Sequence, residues 1–240
     1  MLGNINISDI LFIDIETVPA SPSFEVLDER MKELWTRKSS GFRTDIQEPA
    51  DVYQRAGIYA EFGKIICISA GFMSSVNPPK MRIKSFYGDN EAEILSDFSA
   101  LIEKFSRHRE MILCAHNGKE FDYPYIARRM IINGLTIPAI LDNAGKKPWE
   151  VHLLDTMELW KFGDFKSYTS LDLLTAALGI PTPKDDIDGS MVADVYWKDA
   201  NLPRIVKYCE KDVLAIAQVV NRFMNIPLLP EGSVESATSL

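Results

Sequence analysis

Leu11-Phe12-Ile13-Asp14-Ile15-Glu16-Thr17, residues 11 to 17, passes from an apolar triplet into two acids spaced two apart. A short run of this kind is what a central strand, buried on both faces, requires. Alternate residues of a strand leave the same face, so Asp14 and Glu16 project together about 7 Å apart along the chain, within reach of one cation. An unpartnered carboxylate in such a run is costly to bury, and a metal ion is the usual way of offsetting that cost. Two readings fit the spacing alone: the acids share a cation, or the strand ends at Asp14 and both are solvated. Val18-Pro19-Ala20-Ser21-Pro22 then stops regular structure.

Outward from this strand, residues 19–61 form an insertion. Within it, 24–37 predicts a helix with Phe24, Leu27, Met31, Leu34 and Trp35 on one face, and 50–61 a second short helix. Strand-like runs at 65–72 and 81–87, joined by a short turn-rich connection, predict an antiparallel pair. A helix over 91–105 follows, with Asp89 or Asn90 ready as its N-cap. Strands are expected over 111–115 and 151–154. Helices are expected over 122–132, after the second of these strands through Trp160, and over 170–178, 189–197 and 202–224, the last with Asn201 before it and Pro203 in its first turn. Strands first, then strands alternating with helices, describe an α/β domain with a mixed β-sheet and helices on its faces.

The chain has 240 residues, of which 46% are hydrophobic, so one core suffices; the expected layout is a single domain over 1–226 and a disordered tail over 227–240, where Pro, Gly, Ser and Glu dominate. No apolar run approaches the ~18–20 residues of a membrane helix, and the opening residues lack the features of a signal peptide, so no membrane association and a cytoplasmic location are expected. Cys67, Cys114 and Cys209 are scattered through apolar segments without a CxxC pair and read as small buried hydrophobes. A net charge of −8 argues against a generic nucleic-acid coat protein. That objection weakens where acids hold cations, because a metal site inverts the local charge and attracts phosphate.

Two further features carry chemistry. In Cys114-Ala115-His116-Asn117-Gly118-Lys119-Glu120-Phe121-Asp122 an apolar strand runs into a Gly-containing turn and then a helix. Asn117 or Asp122 reads either as an ordinary helix cap or as a ligand at the carboxyl end of a strand, where α/β sheets place their sites. In the helix over 202–224, Ile205, Cys209, Val213, Ile216 and Val220 trace an inward face, with Tyr208 and Asp212 on or beside it. A buried Asp212 needs a cation, either a metal or a flanking Arg204 or Lys207.

Taken together, Asp14-Ile15-Glu16-Thr17, then His116-Asn117-Gly118 with Phe121-Asp122, then Tyr208-Cys209-Glu210-Lys211-Asp212 resemble, in order and over most of the chain, the three exonuclease motifs of the DEDD superfamily, in its tyrosine subclass. Phe12 to Pro19, Glu61 to Ser69 and Ser167-Tyr168-Thr169-Ser170-Leu171 look like the stand-alone bacterial 3′–5′ exonucleases similar to the proofreading domain of family B DNA polymerases. The resemblance implies a ribonuclease H-like fold and 3′–5′ exonuclease action on DNA, single-stranded by preference. It also implies two divalent cations, Mg²⁺ or Mn²⁺. Asp14, Glu16 and Asp212 would bind the first; Asp14 would bridge to the second, held by Asp122 directly or through water. Tyr208 would orient the attacking water. Ile15, Thr17, His116, Asn117, Phe121 and Tyr168 are the expected contacts to the substrate strand.

The chemistry accounts for these residue types. Hard oxygen ligands suit Mg²⁺ or Mn²⁺, and two such ions about 3.5–4 Å apart lower the pKa of a water and stabilise a leaving oxygen. A tyrosine near its ordinary pKa of about 10 is a poor general base, so orienting water suits Tyr208 better. His108, His116 and His152 are too dispersed for a zinc site; His116 either touches a phosphate or is a satisfied structural histidine. Lys161, Lys166, Lys184, Arg128 and Arg129 are either contacts to the strand backbone or solvated surface. Phe121 and Tyr168 either stack on bases or belong to the core. An exoribonuclease of the same superfamily and an inactive nucleic-acid-binding module are the alternatives. A Rossmann protein is disfavoured because no GxGxxG or P-loop follows a strand.

Overall fold

The computed structural model describes residues 2–3, 5–107, 110–164, 168–181 and 187–239. His108, Lys166, Ser167 and Lys184 lie outside them. The strands are β1 (Ile10–Pro19), β2 (Gly63–Val76), β3 (Pro79–Tyr87), β4 (Ile112–Ala115), β5 (Leu153–Asp155) and β6 (Val234–Ser236), arranged in one mixed sheet of order β5-β4-β1-β2-β3-β6. β1 is central, antiparallel to β2 and parallel to β4. The helices are α1 (Glu29–Ser39), α2 (Glu91–Ser106), α3 (Asp122–Ile132), α4 (Thr156–Lys161), α5 (Leu171–Ala177), α6 (Val192–Trp197) and α7 (Leu202–Phe223).

Both faces of β1 are buried, as its apolar run requires. Leu11, Ile13 and Ile15 pack on Ile94, Leu95 and Phe98 of α2 and on Ile126 and Met130 of α3. Ile10 and Phe12 leave the opposite face and pack on Val213, Ile216, Ala217 and Val220 of α7. This is a mixed α/β fold with helices on both faces of the sheet, of ribonuclease H-like architecture. Among the described residues no helix is long and apolar enough to cross a membrane.

The structure differs from what the sequence predicts in three places. The helix expected over 24–37 is broken: Phe24–Val26 is a 3-10 turn, and Asp28 caps α1 by accepting from Met31 N at 2.9 Å. The second helix of the insertion is a 3-10 run, Tyr53–Ile58. Asn90, one of the two residues expected there, does occupy the N-cap of α2, without a side-chain hydrogen bond. The C-terminal segment, expected to be a disordered tail, is folded. Leu229 is buried and exchanges two hydrogen bonds with Gln218, and β6 runs parallel to β3. The reason is nonlocal: β3 has an outer edge of unpaired backbone groups, and Met81 N donates to Ser233 O while Ala237 N donates to Ile83 O. Glu210 of α7 accepts from the hydroxyls of Ser236 and Thr238 and holds the segment in place.

Arg129, weighed as a contact to the substrate backbone, is instead buried. Its guanidinium pairs with Glu91 and donates to Ala60 O, while Glu91 also accepts from Ile65 N at 2.7 Å and Asn133 Nδ2 at 2.8 Å. This network ties the end of the insertion, β2, α2 and α3 together beside the carboxyl end of β1.

Candidate metal and nucleic-acid site

Asp14 and Glu16 leave the same face of β1 as Phe12, so they face α7 one step beyond the apolar packing. Asp14 is half-buried, and Glu16 is only 7% exposed. The strand registers Asp14 opposite Ser69 and Glu16 opposite Cys67 of β2, with a bulge directly after Glu16. From α7, the Cys209 thiol donates to Oδ2 of Asp14 at 3.3 Å and to its backbone oxygen at 3.4 Å. One ligand atom each from Asp14, Glu16 and Cys209 lies within 4.8 Å of the others. Asp212, one turn further along α7, is close enough to be the strongest charged neighbour of both Asp14 and Glu16.

Asp122 arrives from the other side, at the first position of α3, and is 3% exposed. A hydrogen bond from the backbone of Ile15 brings its carboxylate against β1. The preceding turn is forced into shape by two residues. Asn117 has φ 58°, a left-handed conformation that Asn tolerates better than most residues. At Gly118 a Cβ would sit 2.5 Å from Cβ of Ala115, so no larger residue fits without a shift.

Asp155, which the sequence reading passed over, fastens this turn. It is 3% exposed and ends β5; its Oδ1 accepts from Asn117 N at 2.9 Å and its Oδ2 from Lys119 N at 3.1 Å. The same side chain caps α4 by accepting from Met157 N and Glu158 N. The available signal was Asp155-Thr156-Met157-Glu158 directly after an apolar run, an N-cap with an acid three residues on.

Burial is the largest influence on Asp14, Glu16 and Asp122. It pushes the carboxyls of Asp14 and Glu16 well above the ordinary range, and the charges of Asp212 and of the other neighbouring acids push them further. Asp122 is pushed up to about 7, again mainly by burial, with Asp155 and Asp212 adding to it. Among the described residues Glu16 makes no hydrogen bond or ion pair, and the side-chain oxygen of Asn117 is buried without a partner. Neighbouring carboxylates whose charges raise the pKa of Asp14, Glu16 and Asp122, with Glu16 lacking a donor among the described residues, form a donor set suited to a hard divalent cation.

The other expected contacts divide. The Ile15 side chain is buried with α2 and α3, so only its backbone reaches the site. The Thr17 hydroxyl bonds to Tyr125. Both ring nitrogens of His116 are taken: Nε2 donates to Thr169 O at 2.9 Å, and Nδ1 accepts from the Thr156 hydroxyl at 2.8 Å. Burial lowers its pKa, so it is a neutral structural clamp with no ring nitrogen left for a phosphate. Phe121 is half-buried against Tyr125, ring centroids 5.3 Å apart. Tyr168 is 70% exposed next to the clamped Thr169. Tyr208 is half-buried on α7, packed against the cluster that contains Val18 and Ile66. Arg128 and His152 are exposed.

A family described as "Predicted 3'-5' exonuclease related to the exonuclease domain of PolB" matches residues 58–231, a span that contains Asp122, Tyr208 and Asp212. Asp14 and Glu16 precede that span and are joined to it by the fold. Among solved structures, the family B DNA polymerase from the hyperthermophilic archaeon Pyrobaculum calidifontis is similar over 90% of this chain, with a TM-score of 0.55 at 14% identity. The likeness is one of fold, and this chain spans 24% of that polymerase's length.

Proposed function

This chain belongs to the family of 3′–5′ exonucleases related to the exonuclease domain of PolB, and from its carboxylate centre we propose that it hydrolyses phosphodiester bonds at the 3′ end of single-stranded DNA with two divalent cations. The observation that carries the proposal is that Asp122 from α3 and Asp212 from α7 both act electrostatically on Asp14 and Glu16 of β1, raising the pKa of each, while Asp212 also raises that of Asp122.

In this reading Asp14, Glu16 and Asp212 hold one cation, and Asp122 with Asp14 the other. Mg²⁺ or Mn²⁺ there would lower the pKa of a water and stabilise charge on the leaving 3′ oxygen. Tyr208, one helical turn before Asp212, directs its hydroxyl to the attacking water and is a positioning group rather than a base. Asn117 offers its amide, whose oxygen has no donor among the described residues, to the incoming strand. Tyr168, exposed beside the turn, offers a ring for a base to stack on. The net charge of −8 is consistent with this assignment, since the acids of the centre are cation ligands and not a repulsive surface.

The test is digestion of matched 5′-labelled single-stranded DNA and RNA with Mg²⁺, Mn²⁺ or EDTA, beside Asp212→Ala. The expected result is a metal-dependent ladder shortening from the 3′ end of DNA, absent in the variant. A ladder on RNA alone would reassign the substrate. Absence of cleavage under every metal would leave a binding module.

A further inference from the structure

The carboxylate centre contains a thiol that the nuclease reading does not use. Cys209 lies on the buried face of α7, and its Sγ is 3.3 Å from Oδ2 of Asp14. Ligand atoms of Asp14, Glu16 and Cys209 form a triangle with no side longer than 4.8 Å. Glu16 enters that triangle 7% exposed and, among the described residues, without a donor. Two carboxylates and a sulfur so close together suit a borderline or soft cation, because thiolate ligands favour Zn²⁺ and its heavier congener over Mg²⁺. Three protein ligands and one open position are also a common zinc arrangement.

We propose that Cys209 is a metal ligand for thiophilic divalent cations: Zn²⁺ or Cd²⁺ is captured by Cys209 with Asp14 and Glu16, displaces Mg²⁺ or Mn²⁺, and silences the nuclease. The proposal adds a second, inhibitory selectivity to the site and rests on the metal-dependent reading above. With a hard cation the S–H bond stays intact and continues to donate to Asp14. With Zn²⁺ or Cd²⁺ the S–H bond breaks, a sulfur–metal bond forms, and the proton leaves to solvent. Cys67 is the neighbour to control for, since its thiol hydrogen-bonds with that of Cys209 and it lies across the strand pair from Glu16. Cys114 is buried in the apolar cluster with Phe12 and serves as a thiol outside the triangle.

The full chain, freed of metal with EDTA and dialysed, is titrated with Cd²⁺ while the thiolate-to-metal charge-transfer absorption is followed in the ultraviolet. Wild type and Cys114→Ala are expected to give a saturable band. Cys209→Ser should lose it, with Cd²⁺ affinity falling about tenfold or more and Mn²⁺ affinity retained. In the presence of Mg²⁺, the Zn²⁺ concentration that halves exonuclease activity should rise about tenfold in Cys209→Ser. A band that survives in Cys209→Ser, no band in wild type, or a band lost only in Cys67→Ser overturns the assignment. The absorption does not depend on turnover, so a chain that fails to cut DNA yet gives the Cys209-dependent band refutes the nuclease reading alone.

Discussion

Replacing Asp155 with alanine should destabilise the protein through a turn that the side chain holds from outside. One carboxylate accepts from four backbone amides, those of Asn117, Lys119, Met157 and Glu158. Losing the cap of α4 costs about 1 kcal/mol. Each part-buried turn amide left without an acceptor costs at most about 1–3 kcal/mol, so the total is at most roughly 3–7 kcal/mol. That is a large part of the ~5–15 kcal/mol that holds a domain folded. Asp155→Asn keeps an acceptor at Oδ1, where Asn117, Met157 and Glu158 donate, and turns an amide toward Lys119 N alone. It should therefore cost only about 1–3 kcal/mol. Urea unfolding of the three proteins reads the ranking from midpoints at constant slope. Hydrogen exchange at Asn117 and Lys119 should accelerate first in the alanine variant, because these amides lose their acceptor. Alanine and asparagine variants of equal stability, or an alanine variant within about 0.5 kcal/mol of wild type, would sink the argument, since ordinary surface substitutions do no more than that.

Three other outcomes follow from the same structure. Arg129→Met leaves Glu91 buried without its cation and should cost about 3–5 kcal/mol, whereas Glu91→Gln combined with Arg129→Met should be milder than the sum; additive effects in a double-mutant cycle would refute the coupling. In EDTA, Asp122 is pushed up to about 7 by burial against an ordinary value of 3.8, so the folded chain holds a proton that the unfolded chain has already released. Stability from this group is therefore full at low pH and declines as pH rises from about 4 to about 7; urea midpoints at pH 5 and 8 should differ in that direction in wild type and less in Asp122→Asn. Glu210→Ala removes the acceptor for the hydroxyls of Ser236 and Thr238. Exchange of the Met81 amide, which donates to Ser233 O, should then accelerate while β1 amides stay protected; uniform protection would show that Glu210 does not hold the segment.

What the sequence revealed depended on how local each signal was. Helix α3 begins and ends where the pattern placed it, because Asn133 and Gly134 terminate it within the chain's own next turn. Helix α7 was legible for the same reason, with Asn201 accepting from Arg204 N and Pro203 in the first turn. In the insertion the apolar spacing continues across Asp28, and periodicity alone does not reveal that this acid is a cap. Features held by distant partners were invisible. Asp155 serves amides 36 and 38 residues away, and the thiol of Cys209 meets Asp14 across 195 residues. The sequence places Cys209 among the small buried hydrophobes; buried it is, but its sulfur donates to a carboxylate. The sequence allows His116 to be either a phosphate contact or a structural clamp, and only Thr156 and Thr169, on segments far along the chain, decide it.

The placement of the acids follows from core packing with little further specification. Phe12 packs with Val213, and Asp14 meets Cys209, so two steps forward along β1 correspond to four steps back along α7. Two strand residues advance about 6.6 Å and four helical residues about 6 Å, so the two rulers agree over this interval. Once the apolar halves are seated, the acidic halves meet automatically. Register is then decisive, because a slip of one residue in β1 would turn Asp14 and Glu16 toward α2 and α3 and put Ile13 and Ile15 under α7. Such a slip is opposed by the burial of Leu11, Ile13 and Ile15 on one face and of Ile10 and Phe12 on the other. The same contacts that stabilise the domain thus hold together a set of mutually repelling carboxylates.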